Sequence, residues 1–225
     1  METNEQTQLA WNIIETTNTN LFLTGKAGTG KTTFLRRLKT ESSKRIIVVA
    51  PTGIAAINAE GVTIHSFFQL SFAPFIPDAQ YKTKEQQYRF SKQKIRVIQN
   101  IDTLVIDEIS MVRADLLDAV DSVLRRFRKN QQPFGGVQMV MIGDLGQLAP
   151  VAKDDEWQLL SRYYETPYFF SSLALKRTRY AIVELKTVYR QNDLRFLDIL
   201  NKVRDNCADA SVLQALNSRY IPNFQ

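Results

Sequence analysis

The run Gly25-Lys26-Ala27-Gly28-Thr29-Gly30-Lys31-Thr32 has the spacing G-x-x-x-x-G-K-[ST], in which each residue type has a chemical reason to be where it is. Glycines let successive backbone N–H groups turn inward on phosphate oxygens, and a helix starting at this point adds the positive end of its dipole. Lys31 can then reach the β- and γ-phosphates as a point charge, while the Thr32 hydroxyl can ligate Mg2+. Gly25, Ala27, Gly28, Thr29, Gly30, Lys31, Thr32 and Thr33 form the candidate phosphate cradle. Downstream, Thr103-Leu104-Val105-Ile106 runs into Asp107-Glu108. An apolar strand ending in two carboxylates supplies the other half of a hydrolytic site: Asp107 to hold the metal, directly or through water, and Glu108 to polarise the attacking water. Two later strand ends bring more polar groups. Gln147, in Gly143-Asp144-Leu145-Gly146-Gln147, is placed to sense a γ-phosphate or its water, with Asp144 in support. Arg190, in Val188-Tyr189-Arg190-Gln191, could set a guanidinium on the γ-phosphate from within the same domain. ATP and Mg2+ are the cofactors this set calls for.

Such a site needs a particular frame. Leu21-Phe22-Leu23 precedes the loop and a helix-like stretch, Thr33 to Leu38, follows it. Arg45 to Ala50 is a nearly continuous β-branched run, the pattern of a strand buried on both faces of a parallel sheet. Val137 to Ile142 repeats it, and Tyr168-Phe169-Phe170 and Ala181 to Leu185 read as two short further strands. The spacing predicts helices over residues 7–17, after Gly53, and around Trp157 to Tyr164, with two amphipathic helices after Leu194. Val112, Leu116, Leu117, Val120, Leu124 and Phe127 mark another, with Asp115, Asp118 and Asp121 early and Arg125, Arg126 and Arg128 late. That polarity matches the helix dipole and includes an Asp121–Arg125 pair at i,i+4; its basic end reads as a solvated face. The fold class expected is α/β, a phosphate-loop NTPase domain with a mostly parallel sheet flanked by helices.

At 225 residues the chain suits one nucleotide-binding core with an insertion. It has 44% hydrophobic and 23% charged residues, ordinary for a globular domain, and no apolar run approaches the roughly 20 residues of a membrane helix. The polar start, Met1 to Gln6, lacks a signal segment. Cys207 is the single cysteine, which excludes an intramolecular disulfide and a cysteine metal cluster and suits a reducing compartment; it reads as a half-buried helix residue. A net charge of +6 points towards a polyanionic partner. Residues 69–99 break the α/β rhythm: Phe72, Pro74, Phe75, Ile76 and Pro77 form an aromatic and proline-rich loop, after which bases interleave with Tyr81, Tyr88 and Phe90. Charges that track a backbone and rings that stack on bases suit single-stranded nucleic acid; an exposed helix whose rings pack down on the domain is the other reading. Gln8 can offer an amide to both hydrogen-bonding groups of an adenine edge or be a plain exposed helical residue. His65, the one histidine, reads equally as a packing or a ligand-contacting residue.

Taken in order, the phosphate loop, Pro51-Thr52-Gly53-Ile54-Ala55-Ala56, Thr63-Ile64-His65-Ser66-Phe67, Asp107-Glu108-Ile109-Ser110-Met111, Gly143-Asp144 with Gln147-Leu148 and Pro150-Val151, and Tyr189-Arg190-Gln191 carry a family resemblance. The chain resembles the N-terminal RecA-like motor domain of the Pif-type (petite integration frequency) DNA helicases, superfamily-one motors that move 5′ to 3′ on single-stranded DNA. The Ser110 to Arg128 segment is similar to the stretch that separates this family from its RecD-type relatives. The resemblance implies an ATP-dependent DNA helicase serving replication, recombination, repair or telomere maintenance, in a bacterial-type cytoplasm or a eukaryotic nucleus or mitochondrion. It places Gln8 at the adenine, makes Pro51, Thr52, Gly53, His65, Ser66, Phe67 and Phe68 the expected DNA-facing residues, and makes part of the 69–99 insertion a strand-separating wedge. Single-stranded, forked or structured DNA is the implied partner, with no membrane, and a monomer is expected. A motor of this class also has a second RecA-like domain, which this stretch of sequence does not contain, so the chain alone is expected not to unwind DNA. A nucleotide-regulated DNA-binding module without motor activity, a RecD-type fragment, and a phosphoryl-transfer enzyme on the same core are the competing readings.

Overall fold

The computed structural model describes residues 4–77, 90–189 and 194–222. Six strands, β1 (Asn20–Gly25), β2 (Ile46–Ala50), β3 (Val62–Thr63), β4 (Thr103–Ile106), β5 (Gln138–Ile142) and β6 (Tyr180–Leu185), form one sheet in the order β3-β2-β4-β5-β1-β6. Every pairing is parallel. The near-continuous apolar runs predict this: β4 and β5 are buried at every residue, as strands covered on both faces must be.

Alternate residues along each strand face opposite layers. Phe22, Leu104, Ile106, Met139 and Met141 point to one side, into a core shared with α4 (Ile64–Phe68), α5 (Lys92–Asn100), α6 (Ala114–Arg128) and α8 (Leu173–Lys176). Leu21, Leu23, Val105, Val140 and Ile142 point to the other, against α1 (Glu5–Thr16) and α2 (Lys31–Glu41). The remaining helices are α3 (Gly53–Asn58), α7 (Asp154–Leu160), α9 (Leu194–Arg204) and α10 (Ala210–Asn217). No helix among the described residues is long and apolar enough to cross a membrane.

Several expectations change on contact with the structure. Tyr168-Phe169-Phe170 is not a strand: Tyr168 makes one isolated bridge to Arg113, and Phe169–Ser171 is a 3-10 turn. Phe169 fills the core edge-on to Phe22, and the chain is then held by Asp118 for the start of α8, which leaves no length for a strand. Residues 92–99, counted with the insertion, belong to a helix of the core, α5: Ile98 is fully buried and α5 packs on α6. Phe90 packs down on Phe127, 4.6 Å between ring centroids, while Tyr81 and Tyr88 lie outside the described residues. Cys207 is exposed, in the turn after α9.

The charges of α6 divide: Arg126 and Lys129 at the basic end are exposed, as a solvated face requires, whereas Arg128 and the aspartates are tied into the fold. Asp115, Asp118 and Asp121 are all buried. Asp118 accepts hydrogen bonds from Tyr164 Oη, Ser172 Oγ and the backbone N–H groups of Leu173 and Ala174. Asp115 accepts from Nε and Nη2 along one edge of the Arg113 guanidinium, whose Nη1 goes to Glu156, and from the N–H of Phe75. Asp121 accepts from the Phe134 N–H and forms the expected i,i+4 pair with Arg125 at 2.7 Å. At the basic end, Arg128 donates to the carbonyls of Ile98, Gln99, Ile101 and Gly135, tying the end of α5 to the turn before β5.

Candidate nucleotide site and nucleic-acid edge

The carboxyl ends of parallel strands are where an open α/β sheet leaves room for a ligand, and the candidate residues gather there. The loop between β1 and α2 leaves Gly25 against the end of β6: a Cβ at Gly25 would lie 2.6 Å from the Leu185 carbonyl oxygen and 2.7 Å from Thr29 Oγ1. Only glycine closes the loop so tightly. Gly28 and Gly30 follow with φ of 77° and 92°, and Thr29, buried, donates its hydroxyl to the Lys26 carbonyl. Ala27, Thr32 and Thr33 are exposed, the threonines on the first turn of α2. The Lys31 ammonium sits inside the loop, donating to the carbonyls of Gly25 and Lys26. Burial lowers its pKa below the usual lysine value, and the nearby carboxylates Asp144, Glu108 and Asp107 oppose that shift.

Those three carboxylates arrive from the ends of β4 and β5. Asp107 donates its N–H to the Val49 carbonyl, which keeps the strand direction one residue past β4. The chain then turns at Glu108, which holds the left-handed conformation at φ 52°, a strained placement for a residue other than glycine. Burial, with Glu108 beside it, pushes the Asp107 carboxyl up to about 6. An anion held at such expense suits a site that receives a cation, and a carboxylate with a threonine hydroxyl is the hard oxygen donor set that Mg2+ accepts while keeping waters. Asp144, 1% exposed, accepts from the Gly146 N–H and from the Gln147 side-chain amide at 3.1 Å.

The last expected members stand at different depths. Arg190 lies outside the described residues; Tyr189 before it is hydrogen-bonded through its N–H to the Gly28 carbonyl at 2.9 Å. The Tyr189 hydroxyl accepts from Asn4, the N-cap of α1. Gln8, one turn further along α1, is exposed, with its amide donating to Asn12. Two residues that sequence reading missed complete the cluster. Arg204 at the end of α9 pairs with Asp144 at 2.8 Å, and Asp205 pairs with Lys26 at 3.5 Å. Spacing alone shows α9 only as an amphipathic helix, so no local signal marks them.

Beside this edge, Pro51, Thr52 and Gly53 leave β2 on the same side of the sheet, with Thr52 capping α3 through the Ala55 N–H. Ile54 and Ile57 are largely exposed on α3. His65 is half-buried and stacks on Phe72, centroids 4.5 Å apart, while Phe72 is 81% exposed; burial and the Arg113 charge lower the histidine's pKa. Ser66 is exposed. Phe67 and Phe68, expected to face DNA, are instead buried in the core, Phe68 completely. Lys94 is committed to the Ser66 carbonyl at 2.8 Å.

A family model described as PIF1-like helicase matches residues 1–211. The chain belongs to the PIF1-like helicase family. It is 40% identical over 191 residues to the ATP-dependent DNA helicase PIF1 of Saccharomyces cerevisiae, which covers 82% of this chain and 21% of that protein. To the human ATP-dependent DNA helicase PIF1 it is 37% identical over 193 residues, 84% of this chain and 28% of the relative. Among solved structures, a Pif1 helicase from Bacteroides in complex with ADP-AlF3 and ssDNA superposes with a TM-score of 0.90 at 45% identity, over 98% of this chain and 51% of that one. A structure of two coordinating Pif1 helicases at forked dsDNA gives 0.91 at 45% identity, over 98% and 53%. The chain therefore spans about half the length of its solved PIF1-like relatives and about a quarter of the curated ones. The α/β, RecA-like fold class read from the sequence is the one these relatives share.

Proposed function

We propose that this PIF1-like chain is the ATP-binding and hydrolysing motor domain of a 5′-to-3′ DNA helicase that acts on single-stranded DNA, with ATP and Mg2+ as its cofactors. The observation that carries the reading is the convergence of Lys31, Asp107, Glu108 and Asp144 on one sheet edge, close enough for each carboxylate to act on the lysine. In this reading the loop from Gly25 to Thr33 wraps the phosphates, Lys31 neutralises the β and γ groups, and Gln8 meets the adenine. Thr32 and Asp107 would hold Mg2+, which when bound withdraws charge from the phosphate oxygens. Glu108 orients and polarises the attacking water, Gln147 reports the γ-phosphate, and Arg190 adds charge as the bond breaks. Pro51, Thr52, Gly53, His65 and Ser66 form one wall of the DNA path, with Phe72 stacked on His65 as an exposed ring beside it. Part of the insertion from residue 69 acts as the wedge, a monomer is the working unit, and forked or structured DNA is a substrate, a reading supported by the solved structure of two coordinating Pif1 helicases at forked dsDNA.

Single-stranded DNA binding by this chain tests the reading. One wall gives weak binding whose affinity falls steeply with salt as counterions are released, and Phe72→Ala lowers affinity by roughly 1 kcal/mol at an unchanged salt slope, as expected for a stacking ring. Absence of binding at low salt, or binding indifferent to salt, would contradict it.

A further inference from the structure

The last turn of α9 reaches two loops of the nucleotide site at once. Arg204 lays Nη2 and Nε along the two oxygens of Asp144, at 2.8 and 3.3 Å, and its Nη1 meets Asp205 at 3.0 Å. Asp205 in turn pairs with Lys26 of the phosphate loop. Asp144 is almost completely buried, and the same two oxygens receive the Gly146 N–H and the Gln147 amide. The fit is close: a Cβ on Gly146 would stand 2.7 Å from Arg204 Nε, so the loop is bare at that point for the guanidinium to lie against it. Gln147 itself is exposed on a loop flanked by the exposed Leu145 and Leu148. Its side chain is oriented through Asp144, and Asp144 is balanced by Arg204.

We infer that Arg204 is a positioning residue for ATP hydrolysis, holding Gln147 in register with the γ-phosphate through Asp144 and coupling the nucleotide site to α9. This rests on the site reading above. The planar fork is what the role demands, since it satisfies both carboxylate oxygens from one side and leaves the other side free for Gly146 and Gln147. A lysine offers a point charge and no fork. Removing Arg204 would leave Asp144 a buried carboxylate without its hydrogen-bonded guanidinium, with the Lys31 charge nearby but no fork to fix its orientation, free to turn and carry Gln147 with it.

The test is a kinetic cycle in the natural full-length protein with saturating single-stranded DNA. Arg204→Ala should lower kcat for ATP hydrolysis about tenfold while the Kd for a fluorescent ATP analogue changes less than twofold, and Arg204→Lys should recover only part of kcat, on the order expected for losing one positioning contact. In a Gln147→Ala background, Arg204→Ala should cost less than about twofold more, because its effect runs through the missing amide. An unchanged kcat, a parallel loss of nucleotide affinity, or a full tenfold loss persisting without Gln147 would each overturn the inference. Lys31→Ala separates the two levels. If it abolishes hydrolysis while Arg204→Ala is silent, only the positioning role falls; if Lys31→Ala leaves hydrolysis intact, the site reading falls with it.

Discussion

The nucleotide edge and the acidic stripe of α6 are built from the same kinds of residue, aspartates beside basic groups, yet they differ in what those charges face. At the sheet edge Asp107 and Glu108 sit half-buried, with no ion pair to a cation among the described residues, around a lysine whose ammonium is turned into its own loop. On α6, Asp115, Asp118 and Asp121 are buried and fully engaged, and most of their partners come from segments far along the chain. A carboxylate saturated by fixed donors holds a fold together. One left under electrostatic pressure, as Asp107 is at about 6, is suited to receive a cation or a proton.

The comparison breaks most sharply at Asp118. Asp118→Ala should destabilise the chain by about 3 kcal/mol in urea denaturation, because the Leu173 and Ala174 N–H groups and two hydroxyls lose their acceptor in a dry site. Nucleotide affinity should be unchanged at temperatures where the variant is folded. A loss under about 1 kcal/mol, or a loss of affinity without a loss of stability, would mean that the two regions do not divide the work. Arg128→Ala is the smaller companion, about 2 kcal/mol, since the Gly135 carbonyl loses Nε and three carbonyls at the α5 end lose Nη1 of the same guanidinium, while water can reach some of them. Arg128→Lys should restore only part, lacking the fork. Equal stability of the lysine variant and the parent would show that charge, not geometry, holds that corner.

Legibility in the sequence follows the same divide. The phosphate loop, the Asp107-Glu108 strand end and the Asp144 to Gln147 turn could all be picked out as candidates that the fold brings to one sheet edge, because each is a contiguous run with its own spacing. Five of the six strands were legible: β1, β2, β4 and β5 as apolar runs of the kind that buried parallel strands carry, and the edge strand β6 by its short Ala181 to Leu185 run, although Ile182 and Glu184 are exposed. The two-residue β3 is too short to carry a pattern. Tyr168 to Phe170 carried a misleading one: three aromatics look like a strand, and only the long-range grip of Asp118 shows why they turn. The aspartates of α6 also read naturally as dipole complements, since nothing local reveals that Tyr164, Ser172 and Phe134 will fold back onto them. Arg204 is the same case within the site, its value set by Asp144, 60 residues earlier in the chain.

The central claim, that the loop from Gly25 to Thr33 and the strand end at Glu108 form one ATP-hydrolysing site, is tested most directly by measuring nucleotide binding and hydrolysis together for two variants. Lys31→Ala should lose binding of a fluorescent ATP analogue by roughly 100-fold, with the removal of the point charge on the phosphates. Glu108→Gln should bind as tightly as the parent and hydrolyse about 100-fold to 10,000-fold more slowly, the range of a lost general base. Lys31→Ala binding at parental affinity, or Glu108→Gln losing affinity in step with its rate, would contradict the account.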